Sequence, residues 1–326
     1  MRLRLVPEGT RFDFMKFDRI MGPAGIALAV LSLVAVALLG LNLGIDFRGG
    51  TMILAETPER VEVGAVRDAL TALGVGDVSV SRVVDPAADL TGAAREAVMI
   101  RIEQQAGDDA VQAGAIAQAQ EALRALAPNV EFLAVDSVGA KVSEELFFDG
   151  ALALALAIVA ILIYIWLRFE WQFALGAVAA LVHDVALTLG VFAVTRFEFN
   201  LAIIAALLTI IGYSLNDTVV VFDRVRENLR RYKTTPLDEV LNLSINETLA
   251  RTVMTSATTL VALIALFLFG GEVIRGFTFA MIFGVLVGTH SSIFVASLVL
   301  SKLGVDRSDP DESSPAGVRF GSEEAP

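Results

Sequence analysis

Cysteine is absent from the 326 residues, which excludes disulfides, thiol nucleophiles and zinc–thiolate centres. No Gly-x-x-x-x-Gly-Lys-Ser/Thr stretch occurs either, so ATP hydrolysis through a P-loop is excluded. No serine nucleophile or metal-ligand cluster is spaced to use a histidine and a carboxylate, so no hydrolytic site, metal or cofactor is expected. A basic excess is also missing. Lys and Arg number 25 against 37 Asp and Glu, a formal net charge of −12, which argues against a nucleic-acid footprint.

Apolar residues dominate what is present. They make up 55% of the chain, and the mean hydropathy is +0.67. Six apolar runs, at 22–43, 149–168, 172–194, 201–222, 253–270 and 276–302, are each long enough to cross a bilayer, which takes about 20 residues. The first is too long for a signal-peptide core and lacks a small-x-small cleavage site, so it is expected to be a retained helix. The acidic excess sits outside these runs: 17 acidic and 8 basic residues at 44–147, and 6 acidic and 2 basic at 303–326.

Short-loop lysines and arginines set the expected orientation. Arg2, Arg4, Arg11, Lys16 and Arg19 precede the first run, and Arg224, Arg226, Arg230, Arg231, Lys233 and Arg251 crowd the stretch 223–252. The opposite short loops, 195–200 and 271–275, hold only Arg196 and Arg275. Segment 1–21, a loop at 223–252 and both termini are therefore expected to be cytoplasmic. Residues 44–148 are expected on the other side. The tail 303–326, rich in Asp, Glu, Ser, Pro and Gly without apolar periodicity, reads as a disordered acidic cytoplasmic tail.

The segment 44–148 has its own pattern. Strand-like stretches at Thr51–Ala55, Val78–Val84, Val98–Ile102 and Val130–Val135 alternate with helical spacing at Val61–Leu73 and Ala110–Leu126. The order is βαββαβ, which predicts a ferredoxin-like α+β domain beside a bundle of six transmembrane helices.

Ionisable groups in hydrocarbon cost about 2.5–3.5 kcal/mol on insertion scales, so each needs a reason. His183 and Asp184 lie mid-way along the third run, Asp217 lies inside the fourth, and Arg251 opens the fifth ahead of Thr252 and Thr255. Asp217 is five residues short of Phe222, about 7–8 Å from the inner boundary, and a long Arg251 side chain reaches that depth from the edge. Asn216 and Thr218 flank the aspartate and are candidates to bond it or the next helix. Singly, each charged group has a structural alternative: Arg251 snorkelling, Asp217 tying two helices, His183 bonded to a carbonyl. Found in one bundle, His183, Asp184, Asp217 and Arg251 favour a proton relay. Gly284-x-x-x-Gly288, with Thr289, Ser291 and Ser292, suits close helix packing.

Several stretches resemble one family. Gly44-Ile-Asp46-Phe47-Arg-Gly49-Gly50 and Ser137-Val-Gly-Ala-Lys-Val-Ser-Glu-Glu-Leu146 resemble shared motifs of the SecD/SecF family, with Ala140 where proline is more usual. Gly212-Tyr-Ser-Leu-Asn-Asp-Thr-Val-Val-Val-Phe-Asp-Arg224 and Asn246-Glu-Thr-Leu-Ala-Arg-Thr252 are similar to its SecF branch. The resemblance implies a proton-driven accessory subunit of the RND superfamily in the bacterial inner membrane. It would work with SecD and the SecYEG channel on translocating preproteins, with YidC a further candidate partner, and Asp217 and Arg251 in the family's proton-passage positions. A half-size RND-type exporter of small molecules or lipids, and a passive assembly subunit, are the competing readings.

Overall fold

The computed structural model describes residues 10–57, 61–83, 96–105 and 109–305. Arg2, Arg4 and the acidic stretch from Asp306 onward lie outside them. Helix α1 (Asp18–Leu39) leads to β1 (Asn42–Leu43) and a single turn, α2 (Ile45–Arg48). An α/β domain follows: β2 (Gly50–Thr57), α3 (Val63–Ala72), β3 (Val78–Val83), β4 (Glu96–Ile102), α4 (Asp109–Leu126) and β5 (Glu131–Val138). The chain then builds a bundle from α5 (Ala140–Arg168), α6 (Trp171–Thr195), β6 (Glu198–Phe199), α7 (Leu201–Arg231), α8 (Leu237–Phe269) and α9 (Glu272–Leu303). Among the described residues six helices, α1 and α5 to α9, are long and apolar enough to cross a membrane. The protein is a multi-pass, mostly helical membrane protein.

In the α/β domain the strands lie in the order β3-β4-β2-β5, and every neighbouring pair is antiparallel. Period-two alternation puts Ile53, Ala55, Val98, Ile100 and Ile102 into one buried cluster. Helical spacing brings Val66 and Leu70 of α3, and Ala115, Ala119 and Leu123 of α4, against it. One small core results, covered by helices on one face of the sheet.

Burial separates the bundle into a centre and a rim. In α6, 61% of the apolar window is buried inside the chain, against 11% in α1, α5 and α8. Helix α6 is therefore the packed centre, while the other three turn most of their apolar surface outward, as lipid-facing helices do.

Three boundaries differ from the sequence expectation. Helix α1 stops at Leu39 because Gly40 takes a positive φ of 68° and returns its N–H to the Val36 carbonyl. Helix α5 starts at Ala140, so the expected border at 148 falls inside a continuous helix. The stretch 223–252, read as a loop, is mostly helix: α7 runs to Arg231 and α8 starts at Leu237. Its reason is periodicity beyond the apolar runs. Val225, Leu229, Val240, Leu241 and Ile245 all bury in one core cluster, and Asn228 Nδ2 donates to Ser244 Oγ at 3.0 Å across the hairpin. Arg251 therefore sits well inside α8 rather than opening it.

Candidate functional site

The fully buried Asp184 of α6 gathers donors from three helices. Ser214 Oγ of α7 donates to its Oδ2 at 2.7 Å and Ser291 Oγ of α9 donates to the same oxygen at 2.8 Å. His183 Nδ1 lies 3.2 Å from Oδ1. Adjacent side chains some 100° apart on a helix would not be expected to meet, yet these two do. Hydroxyl–carboxylate bonds of this kind are the stronger class of hydrogen bond, so Asp184 forms a satisfied knot at the centre of the bundle.

The Gly284-x-x-x-Gly288 spacing makes that knot possible. A Cβ at Gly284 would collide with the Ile210 side chain, and one at Gly288 would stand 3.0 Å from Ser214 Cβ. The absence of side chains lets α9 approach α7 closely enough for Ser214 and Ser291 to share one oxygen. Between α8 and α9, Ser256 Oγ and Thr289 Oγ1 are 2.7 Å apart.

Asp217 has a different environment. It is only 3% exposed, yet its Oδ2 is buried with no hydrogen-bond partner among the described residues. Arg251 and Thr255 of α8 act on its carboxylate across the α7–α8 interface. Thr252 Oγ1 is likewise buried without a partner. Thr218 turns its hydroxyl back to the Ser214 carbonyl at 3.1 Å and does not bond the aspartate. Asn216 is exposed on the chain, and its side chain makes no hydrogen bond among the described residues. The four ionisable residues thus divide into Asp184 with His183, held by hydroxyls, and Asp217 with Arg251, related by charge across the α7–α8 interface.

The segment Gly44–Gly50 is the joint between the two layers. Gly44 N–H donates to the Phe199 carbonyl at 2.9 Å, and β1 pairs in parallel with β6. Asp46 Oδ2 accepts the backbone N–H of Leu201, the first residue of α7, at 2.8 Å. Phe47 lies against Phe147 and Phe199, with centroids 5.8 Å away in each case. Gly50, at φ 114°, could not carry a Cβ without striking the Ile102 carbonyl. Arg101 of β4 closes the joint with an ion pair to Glu198. Burial raises the Glu198 pKa above its ordinary value, and Arg101 opposes that rise.

Sequence reasoning missed four participants: His290, Ser214, Arg101 and Glu198. The His290 ring stacks on His183 with centroids 6.4 Å apart and planes 27° apart. Both rings line a cavity of about 590 Å³ bounded by Leu28 and Ser32 of α1, Gly190 of α6 and Phe283 of α9. His183 Nε2 is buried without a partner among the described residues. A second histidine in an apolar run was the available signal for His290. Nothing in the local pattern marked the others, whose partners are distant in sequence.

The family described as protein export membrane protein SecD/SecF, C-terminal, matches residues 118–306, and the SecD/SecF GG motif matches residues 34–57. Protein translocase subunit SecF of Cereibacter sphaeroides is 51% identical over 324 residues, covering 99% of both chains. The chain belongs to the SecD/SecF family. SecF of Rickettsia bellii is 42% identical over 300 residues, covering 92% of this chain and 95% of its own. Among solved structures, SecDF from Thermus thermophilus superposes with a TM-score of 0.78 at 35% identity, over 90% of this chain and 39% of that one. SecDF in its super-membrane-facing form gives a TM-score of 0.66, also at 35% identity, over 93% of this chain and 40% of its own. The chain therefore spans about two-fifths of the solved SecDF chains it resembles and nearly the full length of the SecF sequences.

Proposed function

We propose that the chain is the SecF-type subunit of the Sec translocase, and that it couples proton movement at Asp217 to movement of its α/β domain while preproteins cross the inner membrane. Its partners in this reading are SecD, the SecYEG channel and YidC. The termini and the 232–236 turn face the cytoplasm. The βαββαβ module, ferredoxin-like in its order of strands and helices, faces the periplasm.

One observation carries the coupling: Asp217 Oδ2 is buried with no hydrogen-bond partner among the described residues, on the same helix whose first backbone N–H is held by Asp46 at the foot of the α/β domain. A proton arriving at Oδ2 breaks no hydrogen bond. It removes the charge on which Arg251 acts, and with it the electrostatic tie between α7 and α8. Helix α7 is then free to shift against α8. Its far end lies 16 residues away at Leu201, about 24 Å along a rigid rod, where Asp46 and β6 pass the shift to the domain. The satisfied Asp184 knot acts as the pivot, with His183 and His290 on the side of α1.

The deciding experiment replaces Asp217 by Asn, verifies unchanged membrane levels and SecD association, and measures preprotein export with the proton gradient intact and collapsed. The variant is expected to lose the gradient-dependent part of export. Normal export with full gradient dependence would sink the coupling. The cysteine-free sequence tests the orientation directly. Gln118→Cys on α4 should react with an impermeant thiol reagent in intact cells, and Lys233→Cys only after permeabilisation.

A further inference from the structure

At the end of the bundle away from the α/β domain, four arginines converge: Arg168, the last residue of α5, and Arg226, Arg230 and Arg231 of α7. With Asp223 and Glu227 they line a cleft of about 450 Å³. The acids are already engaged. Asp223 pairs with Arg168 at 3.3 Å, and Glu227 pairs with Arg224 at 2.5 Å. Among the described residues Arg226, Arg230 and Arg231 have no carboxylate within ion-pair distance. Arg230 and Arg168 both repel the Arg226 guanidinium, and Glu170 and Asp223 attract it at longer range. The half-buried Arg226 spends one N–H on the Arg168 carbonyl at 3.5 Å, and Arg231 lies over the Tyr232 ring. Clustered cations with spent counter-charges hold an unfilled demand for an anion.

The surroundings fix the depth of the cleft. Trp166 and Trp171, 59% and 51% exposed, flank the α5–α6 turn beside Arg168. Exposed tryptophans at the ends of spanning helices mark the level of lipid headgroups. Helix α5 belongs to the rim of the bundle, so the cleft opens towards lipid.

We propose that this cleft is a binding site for the phosphate of an anionic phospholipid headgroup. Arg226 and Arg230 grip the phosphate oxygens through their planar donor forks, and Trp166 and Trp171 seat the glycerol and upper acyl region. Because α7 also carries Asp217, a bound lipid would hold the far end of the same helix whose other end is tied to Asp46.

The test uses the full chain in nanodiscs of phosphatidylcholine, with phosphatidylglycerol added in increasing fraction, and reads the thermal midpoint. The native chain should be stabilised saturably by phosphatidylglycerol. Arg226→Gln with Arg230→Gln should raise the half-saturating fraction by about thirtyfold, as loss of two interfacial cations implies. Lys233→Gln, a cation in the neighbouring turn, should leave the curve unmoved. Circular dichroism of the double variant in pure phosphatidylcholine checks that it is folded. An unchanged curve in the folded double variant overturns the site. An equal shift from Lys233→Gln overturns it too, because the effect would then be diffuse surface attraction. The same stabilisation from inorganic phosphate in phosphatidylcholine discs overturns the lipid source.

Discussion

Arg101, on the third strand of the α/β domain, is ion-paired with Glu198, three residues before the helix that carries Asp217. The side chains are 20% and 17% exposed, so the pair is screened far less than one in open water. Replacing Arg101 by Met leaves a mostly buried carboxylate without its cation. The joint should lose about 1–3 kcal/mol, below the cost of breaking a fully buried pair. Hydrogen exchange at residues 196–203 should accelerate accordingly. Adding Glu198→Gln should restore most of the protection, because no unpaired charge then remains. Equal exchange in the single and double variants would refute the latch.

Glu198 also gives a pH dependence with a definite sign. Burial, opposed by Arg101, raises its folded-state pKa above the ordinary 4.5. The folded chain therefore holds this proton more tightly than the unfolded chain does. The stability it contributes is fully present below pH 4.5 and is lost as pH rises through the raised value. Across that window the native chain should lose thermal stability relative to Glu198→Gln as pH rises, and the two curves should run parallel well above it.

The legible parts of this molecule were those written in local periodicity. Alternation at Ile53, Ala55, Val98 and Ile100, and the long apolar runs, reported the sheet and the spanning helices because burial follows the period of the backbone. The amphipathic ends of α7 and α8 read as loop in the sequence because charged residues such as Arg224 and Glu247 mask the apolar stripe Val225, Leu229, Val240 and Ile245. Asp217 stands out because an ion inside an apolar run is anomalous by itself, and Arg251 because it stands just before one. Ser214, an ordinary hydroxyl 30 residues from Asp184, carried no such signal. Its role exists only once Gly288 lets two helices touch. Glu198 and Arg101, 97 residues apart, were likewise invisible until the domain and the bundle were in place.

The contrast between the two aspartates predicts opposite phenotypes. Ser214→Ala with Ser291→Ala strips both hydroxyls from Asp184 Oδ2 and strands a buried acceptor. Each lost bond to a charged group is worth about 1.5–3 kcal/mol. The double variant should therefore unfold at markedly lower denaturant and reach lower membrane levels. Asp217→Asn removes a charge but leaves the hydroxyl bonds to Asp184 intact, and should stay within about 1 kcal/mol of the native chain, while losing gradient-dependent export. A destabilised Asp217→Asn with normal export per molecule would reverse the roles assigned to the two sites.

Asp46 should behave as a transmission residue. Its carboxylate accepts the first N–H of α7 at 2.8 Å, in the position of a helix-capping side chain although it lies 155 residues upstream. Losing such a cap costs about 1 kcal/mol, a modest sum for a chain of this size. Coupling through the joint depends on that bond together with the short β1–β6 pairing, which offers two residue pairs and little else. Asp46→Ala should therefore lower the thermal midpoint only slightly while reducing gradient-driven export severely, and Asp46→Asn, which keeps an acceptor oxygen, should retain most export. Fraying confined to the first turn of α7, seen as faster exchange at Leu201–Ile204, should accompany the loss. If Asp46→Ala frays that turn and export is unaffected, the α/β domain does not take its movement from α7.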